Sequence, residues 1–371
     1  MAVYIHNIAT AVPETSYSQD FLRDKMKEYV SDKRSVQRYI HRIYTHSGIE
    51  KRHTVVGDFN GKADDPFFFH PNGQCLAPGT GSRNELYTKH AQRLFVEVGK
   101  KLLQERPHFK KQDITHVITV SCTGFYAPGP DYTLIRDLGL APSTQRYHLG
   151  FMGCYAAFPA LKMARSFCES NEHSVVMVIC LELCTLHFQF REEMDNLISS
   201  SVFADGAAGA LVSQRTPQQN TNAFRLENFS TTLTDDGEND MAWTIGDSGF
   251  NMVLSTYVPQ IIESNLQKAI TPLFEKMKLQ NDDIDYWALH PGGRAILDKV
   301  EKNFSISSTK LTASRETLKN FGNMSSATIL FVLKNILDQA MNNDHETQTV
   351  LGMAFGPGLT IESGLFTKQQ F

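Results

Sequence analysis

Residues 148–167 read HLGFMGCYAAFPALKMARSF. The stretch starts as a short extended run, turns at Gly153 and continues as a helix, with Cys154 at the entry. Glycine accepts the tight turn that such a junction needs. A thiol at that point faces unpaired backbone N–H groups and the positive end of a helix dipole, and both favour thiolate over thiol. Pro159 removes one N–H, but a proline near the first turn costs little. On this stretch alone, a cysteine packed in a core is the competing reading.

Outward from this junction, strand-like and helix-like segments alternate. Residues 114–121 (ITHVITVS), 174–183 and 208–213 read as strands. Ser82, Arg83, Asn84 and Glu85 fit a capping box opening the helix ELYTKHAQRLFVEVGKKLL, residues 85–103. Residues 257–277 carry Ile261, Ile262, Leu266, Ile270, Leu273 and Phe274 at helical spacing. A strand at 286–289, helices at 293–304 and 325–341, and strands at 347–355 and 359–366 complete the pattern. The alternation predicts an α/β fold whose sheets are covered by helices. Residues 214–222 (QRTPQQNTN) are polar and aperiodic, which divides the chain into residues 1–220 and 221–371. Residues 57–82 read as a long loop with an apolar patch at 67–69, a length that suits a functional or mobile segment. No internal sequence repeat is visible.

Composition narrows the function. The 371 residues are 41% hydrophobic and 20% charged, with a formal net charge of −4, so binding driven by nucleic-acid phosphates is not expected. The six cysteines, at 75, 122, 154, 168, 180 and 184, match no zinc spacing. Cys180 and Cys184 lie in the apolar VVMVICLELC and read as buried free thiols. The N-terminus lacks the charged and apolar regions of a signal peptide, and no apolar run reaches the roughly 18 residues of a transmembrane helix. A reduced, cytoplasmic setting is expected.

Two further residues join Cys154. His290, in DYWALHPGGRAIL, ends an apolar strand and enters a Pro-Gly-Gly turn, which places it on a rim; a structural histidine is the alternative. Asn323, in FGNMSSATILF, stands just before a helix and could serve as its cap. Together the three supply a chemistry. A histidine gives the cysteine the base it needs at neutral pH. An amide N–H beside that histidine binds a developing oxyanion. The set suffices for transthioesterification and for decarboxylation of a malonyl thioester, with no metal.

GCYAAFPAL around Cys154, ALHPGGRAILDKVE around His290, FGNMSSATILF around Asn323, FGPGLTIE near the C-terminus and FADGAAGA at 203–210 resemble the type III polyketide synthases, chalcone synthases and their bacterial relatives among them. The likeness runs from about residue 3 to residue 367. It implies a thiolase fold, two similar halves in a five-layer α-β-α-β-α arrangement, with Cys154 in the first half and His290 and Asn323 in the second. It implies a cytoplasmic homodimeric acyltransferase using acyl-CoA and malonyl-CoA, with no other cofactor. Decarboxylative Claisen condensation on Cys154 would be followed by closure to a resorcinol or α-pyrone.

The resemblance also assigns a cavity and marks departures. Phe203 matches one of two phenylalanines at the cavity mouth and Met252 replaces the other. Trp243 stands where a small glycine is usual, so it is expected to narrow the cavity and push a long acyl tail into a side channel beside the helix after Cys154. Alternatively, Trp243 packs in the outer wall. Cys122 and Thr123 occupy wall positions, and Pro357 sits in the retained FGPG loop. Glu182 and Ser325 match a polar relay, but Cys122 replaces the hydroxyl expected between them. Ala127 replaces a methionine that reaches the partner subunit. Arg42 is retained among CoA-binding bases, Tyr39 and His46 replace others, and Lys51 or Arg52 are alternative phosphate ligands. A ketoacyl synthase III-type enzyme making one condensation, or a Cys-His-Asn thioester hydrolase, would use the same three residue types.

Overall fold

The alternating segments fold into an α/β structure, described by a computed structural model for residues 2–60, 66–70, 72, 74–341 and 346–371. In chain order the first half contains β1 (Tyr4–Ala11), β2 (Ser16–Ser18), α1 (Gln19–Val30), α2 (Arg34–Thr45), β3 (Lys51–His53), α3 (Thr80–Glu105), β4 (His116–Ser121), α4 (Pro130–Leu138), β5 (Gln145–Gly150), α5 (Ala157–Ser170), β6 (Val175–Leu183), α6 (Met194–Val202) and β7 (Asp205–Ser213). The second contains β8 (Asn222–Leu233), β9 (Met241–Gly246), β10 (Gly249–Leu254), α7 (Val258–Met277), β11 (Tyr286–Leu289), α8 (Arg294–Phe304), α9 (Thr312–Phe321), α10 (Thr328–Asp338), β12 (Thr347–Gly356) and β13 (Thr360–Gln370).

Nine strands share one sheet in the order β11-β12-β13-β8-β1-β7-β6-β4-β5. Its two parts repeat one pairing scheme. β4 runs parallel to β6, which is antiparallel to β7, which is antiparallel to β1. β11, β12, β13 and β8 follow the same sequence of pairings. β1 meets β8 only at Tyr4–Arg225 and Ile5–Phe224, so the half-sheets touch along a narrow seam. α5 and α10 pack against strands of both half-sheets, while α3 covers the outer face of the first and α7 that of the second. This is the expected five-layer arrangement. α10 has the sequence of a middle layer: Thr328 to Leu333 are all buried, and a helix that is apolar all round belongs inside.

Three expectations change. α3 opens at Thr80, with no side-chain cap, so the capping box at 82–85 is not used. Its first turn is held from outside, by Thr80 N donating to Asp247 O and Gly249 N donating to Thr80 Oγ1, each at 2.9 Å. The helix expected over 325–341 is a tight turn at Ser325–Ala327 followed by α10, which ends at Asp338. Asn222 Nδ2 caps it by donating to Leu337 O and Gln339 O at 2.8 and 3.1 Å. Within the loop 57–82, residues 61–65, 71 and 73 lie outside the described residues. The apolar patch is core: Phe68 and Phe69 are buried, and Asp58 Oδ2 accepts from the backbone N–H groups of Phe67, Phe68 and Phe69 at 2.6, 2.5 and 2.9 Å. Among the described residues no helix is long and apolar enough to cross a membrane.

Candidate active site

Cys154 lies in the turn Gly153–Tyr155 that leads into α5. Gly153 has φ +79, and a Cβ there would lie 2.5 Å from Pro357 Cδ, so neither backbone nor packing admits a side chain. A Cβ on Gly356 would likewise meet the Tyr155 ring at 2.5 Å. The FGPG loop is thus the surface on which the nucleophile turn rests.

His290 follows β11, tied by its N–H to Met353 O at 2.7 Å. It is buried, yet neither ring nitrogen has a hydrogen-bond partner. Asn323 is oriented by its oxygen: Oδ1 accepts from Ser325 N at 2.8 Å and Thr328 Oγ1 at 3.5 Å. That leaves Nδ2 to face the cavity, with one contact to Gly292 O at 3.3 Å. Asn323 braces the turn before α10 and keeps an available donor, while the N-cap position of α10 is Ala327 and not Asn323 as the cap reading expected.

One narrow cavity brings these residues together. Cys154, His290 and Asn323 line it with Cys122, Thr123, Phe203, Trp243, Met252, Ser325 and Pro357. Cys184, Met241, Leu254, Gly292, Ile296 and Phe355 complete much of the wall. Those six were missed from the sequence. Met241 and Leu254 were accessible to it, since each stands two residues along a strand from Trp243 or Met252 and so shares its face. Burial pushes the Cys154 thiol up to about 11 and the His290 imidazole down to about 3. Each shift is that of a single charge placed in apolar surroundings. Apart from Cys122 and Cys184, no other lining side chain is ionisable, so within this lining His290 is the one group able to accept the Cys154 proton.

Residues 2–216 match the model of the chalcone and stilbene synthases, N-terminal domain, and residues 225–368 match that of the C-terminal domain. The chain belongs to this family, the type III polyketide synthases. It is 31% identical over 365 residues to an "alpha-pyrone synthesis polyketide synthase-like Pks18" of Mycobacterium tuberculosis, covering 98% of this chain and 90% of the relative. Its structure is similar to that of PKS-I from the brown alga Ectocarpus siliculosus, with a TM-score of 0.90 and 28% identity over 100% of this chain and 98% of the other. The C-terminal type III domain of Steely1 from Dictyostelium gives 0.90 and 27% over the full length of both. Polyketide condensation is the reaction of this enzyme class, and acyl-CoA and malonyl-CoA are the substrates the family uses.

This polyketide synthase departs from the expected site in four places. Glu182 is fully buried behind the wall and does not line the cavity. Its Oε2 accepts from Cys122 N and Thr123 Oγ1, both at 2.9 Å, and its Oε1 accepts from the hydroxyl of Ser326, not Ser325. Ser325 Oγ lies instead 3.6 Å from Cys122 Sγ. Desolvation pushes the Glu182 carboxyl up to about 7. Second, Arg52 is not a phosphate ligand: it is 1% exposed and donates to Gln19 Oε1, Ser200 O and Phe203 O. Third, no residue of α5 lines the cavity or the chambers adjoining it, because α5 is packed between half-sheets. None of these three spaces forms the expected side channel beside that helix. Fourth, Cys184 is buried as expected but faces the cavity.

Trp243 does form part of the wall, and its Nε1–H donates to Cys122 O at 2.7 Å. Towards the surface, across Leu254, Gly292 and Ile296, the cavity adjoins an outer pocket lined by Tyr39, Arg42, His46 and Arg294. Arg42 is exposed, with its guanidinium 5.7 Å from the Tyr39 ring centroid. Arg294 opens α8, and Gly293, Arg294, Ala295 and Ile296 at the start of that helix line the same pocket. Lys51 lies outside it.

Proposed function

We propose that the enzyme loads an acyl-CoA starter on Cys154, extends it with malonyl-CoA, and closes the product to a resorcinol or α-pyrone carrying the starter as a tail. The observation that carries this reading is the meeting of Cys154, His290 and Asn323 in one apolar cavity with an unpartnered imidazole and a directed amide. His290 takes the thiol proton as Sγ attacks the starter thioester, and the CoA thiolate leaves with that proton. A malonyl thioester then binds with its carbonyl oxygen at the His290 ring and Asn323 Nδ2. The electrons of the C–CO2 bond pass to the enolate as CO2 departs, and those two donors hold the new oxyanion. The enolate carbon attacks the acyl thioester, regenerates the Cys154 thiolate and leaves a chain two carbons longer on CoA.

Arg42, His46, Arg294 and the start of α8 suit the CoA phosphates, because cations and a helix N-terminus attract the same charge. No other cofactor and no metal enters these steps. A pyrone-type product draws support from the likeness to the Mycobacterium relative named for that chemistry. A homodimer is supported by β5, which ends the sheet with an open edge and runs into exposed Phe151, 6.3 Å from exposed Phe125. A cytoplasmic location agrees with six unpaired cysteines, one of them the nucleophile. Incubation with malonyl-CoA and a panel of acyl-CoA starters tests the reading. CO2 release and products extended by two or more malonyl units are expected. A single extension would mark a ketoacyl synthase III-type enzyme, and free CoA without CO2 a hydrolase.

A further inference from the structure

Three of the six cysteines, Cys122, Cys154 and Cys184, line the same narrow cavity. The sheet delivers them there. β5 and β6 flank β4 and both run parallel to it, so the three strands end on one side. Cys122 is the first residue after β4, and Cys184 the first after β6. β5 ends level with β4, Gly150 opposite Ser121. Phe151 at φ +56 and Gly153 at φ +79 then turn the chain and carry Cys154 into the cavity. Cys122 Sγ lies 3.6 Å from Ser325 Oγ, and Ser325 is also a side-chain partner of Cys154. The turn Ser325–Ala327 packs on the turn Gly153–Tyr155. Two thiols therefore flank one hydroxyl, and the condensation steps use only Cys154.

We propose that Cys122 is the resolving thiol of a peroxide-sensitive pair: when hydrogen peroxide oxidises Cys154, Cys122 closes a disulfide with it and holds the enzyme in a recoverable, unloaded state. The Cys154 sulfur attacks one peroxide oxygen as His290 takes its proton. The O–O bond breaks, and the leaving hydroxide collects that proton as water. Cys154 is then a sulfenic acid. Cys122 Sγ attacks the Cys154 sulfur, the S–O bond breaks, and the hydroxyl leaves with the Cys122 proton as a second water. Two thiols have lost two electrons, and one peroxide has become two waters. The Ser325 hydroxyl turns aside as the S–S bond forms. Without a thiol in reach, a sulfenic acid is oxidised again to a sulfinic acid, which reducing thiols do not reverse. Strand order selects Cys122 over Cys184. Neighbouring strands lie about 4.8 Å apart, inside the span of about 4.4–6.8 Å that a disulfide needs between Cα atoms, and two strand spacings exceed it. β4 adjoins β5, whereas β6 lies one strand further away. The hydroxyl that Cys122 replaces could not serve in this way.

Mass spectrometry tests this without turnover. A Cys75→Ser background removes the exposed cysteine and with it links between molecules. After hydrogen peroxide, the intact mass should show the loss of two hydrogens. A non-reducing digest of protein blocked with N-ethylmaleimide should contain a peptide linking Cys122 to Cys154. Dithiothreitol should remove the link and restore labelling of Cys154 by iodoacetamide. Adding Cys122→Ser should abolish the link, let Cys154 gain two oxygens and leave it beyond recovery by dithiothreitol. Adding Cys184→Ala should keep the link. A Cys154–Cys184 peptide, a Cys154 sulfinic acid beside free Cys122, or a Cys154 that peroxide leaves untouched overturns the proposal. So does dithiothreitol recovery in Cys122→Ser equal to that of the background. Should Cys122→Ser fail to fold, the linked peptide of the background enzyme still decides. Each readout follows sulfur and not product, so a failure of the synthase reading would leave this test standing.

Discussion

His290→Ala should strand Cys154 as an inert thiol. Burial sets that thiol at about 11 when no positive charge stands beside it. Four units above pH 7, the thiolate is about one part in 10⁴, a deficit of about 5 kcal/mol. Burial also holds the His290 imidazole down to about 3, so a standing thiolate–imidazolium pair is not favoured at pH 7, and His290 acts instead as a general base that takes the proton while sulfur attacks, worth about 10²–10⁴. Alkylation of Cys154 by iodoacetamide, followed peptide by peptide by mass spectrometry, measures the loss directly. Cys75, exposed and remote from the cavity, serves as internal reference. At pH 7 the variant should react about 10²–10⁴-fold more slowly than wild type, and its rate should rise tenfold per pH unit towards pH 10. Alkylation at pH 7 within threefold of wild type, on the same pH profile, would refute the general-base argument. The thiolate would then owe its existence to the turn and helix entry alone.

Asn323→Ala should slow malonyl decarboxylation by about 10²–10³ while acyl loading of Cys154, read by intact mass, falls far less. Equal losses in both steps would mean that the amide supports the turn and not the enolate. Gly153→Ala should lower the melting temperature and the yield of folded enzyme, since φ +79 and the Pro357 ring both oppose a methyl group; an unchanged melting temperature would show that the FGPG loop gives way freely. Glu182→Gln should stabilise the protein at high pH. The folded-state value of about 7 lies above the ordinary 4.5, so wild type loses stability as pH rises from 4.5 through 7. The stability of the variant relative to wild type should increase by about 3 kcal/mol between pH 5 and pH 8. Urea unfolding at the two pH values checks it, and a constant difference would show that Glu182 is ionised at both.

Much of this was legible in the sequence because the candidate catalytic residues sit where local patterns change. Cys154 follows a glycine between strand and helix, His290 a strand that ends in Pro-Gly-Gly, and Asn323 precedes a helix. Such junctions leave marks in the order of residues. The start of α3 left none, because its first turn is held by residues 247–249 and not by its own cap. The role of Glu182 was misjudged for a related reason. One step along the chain separates Ser325 from Ser326, but the turn Ser325–Ala327, entered at φ +45 on Ser325, sends one hydroxyl to the cavity and the other to the carboxylate. Arg52 looked like a surface base because its partners, Gln19, Ser200 and Phe203, are spread over the chain. The repeat of the two halves was invisible since it exists in pairing order, β1-β7-β6-β4 against β8-β13-β12-β11, and not in residue identities.

That repeat explains why the proposed nucleophile and the proposed oxyanion donor meet. Each half inserts one buried helix into the middle layer, α5 between β5 and β6 and α10 between β11 and β12. A tight turn precedes each, Gly153–Tyr155 before α5 and Ser325–Ala327 before α10, and these turns pack on one another. Cys154 lies in the first turn, and Asn323 enters the second. Two helix N-termini therefore approach one apolar cavity from opposite halves of the fold, and negative charge appears there twice in the cycle, on sulfur and on the enolate oxygen. Preorganised N–H groups and dipoles act most strongly where water is excluded. The fold brings both ends to one point before any substrate arrives, and His290, at the end of β11 between them, is left with both nitrogens free to move the proton.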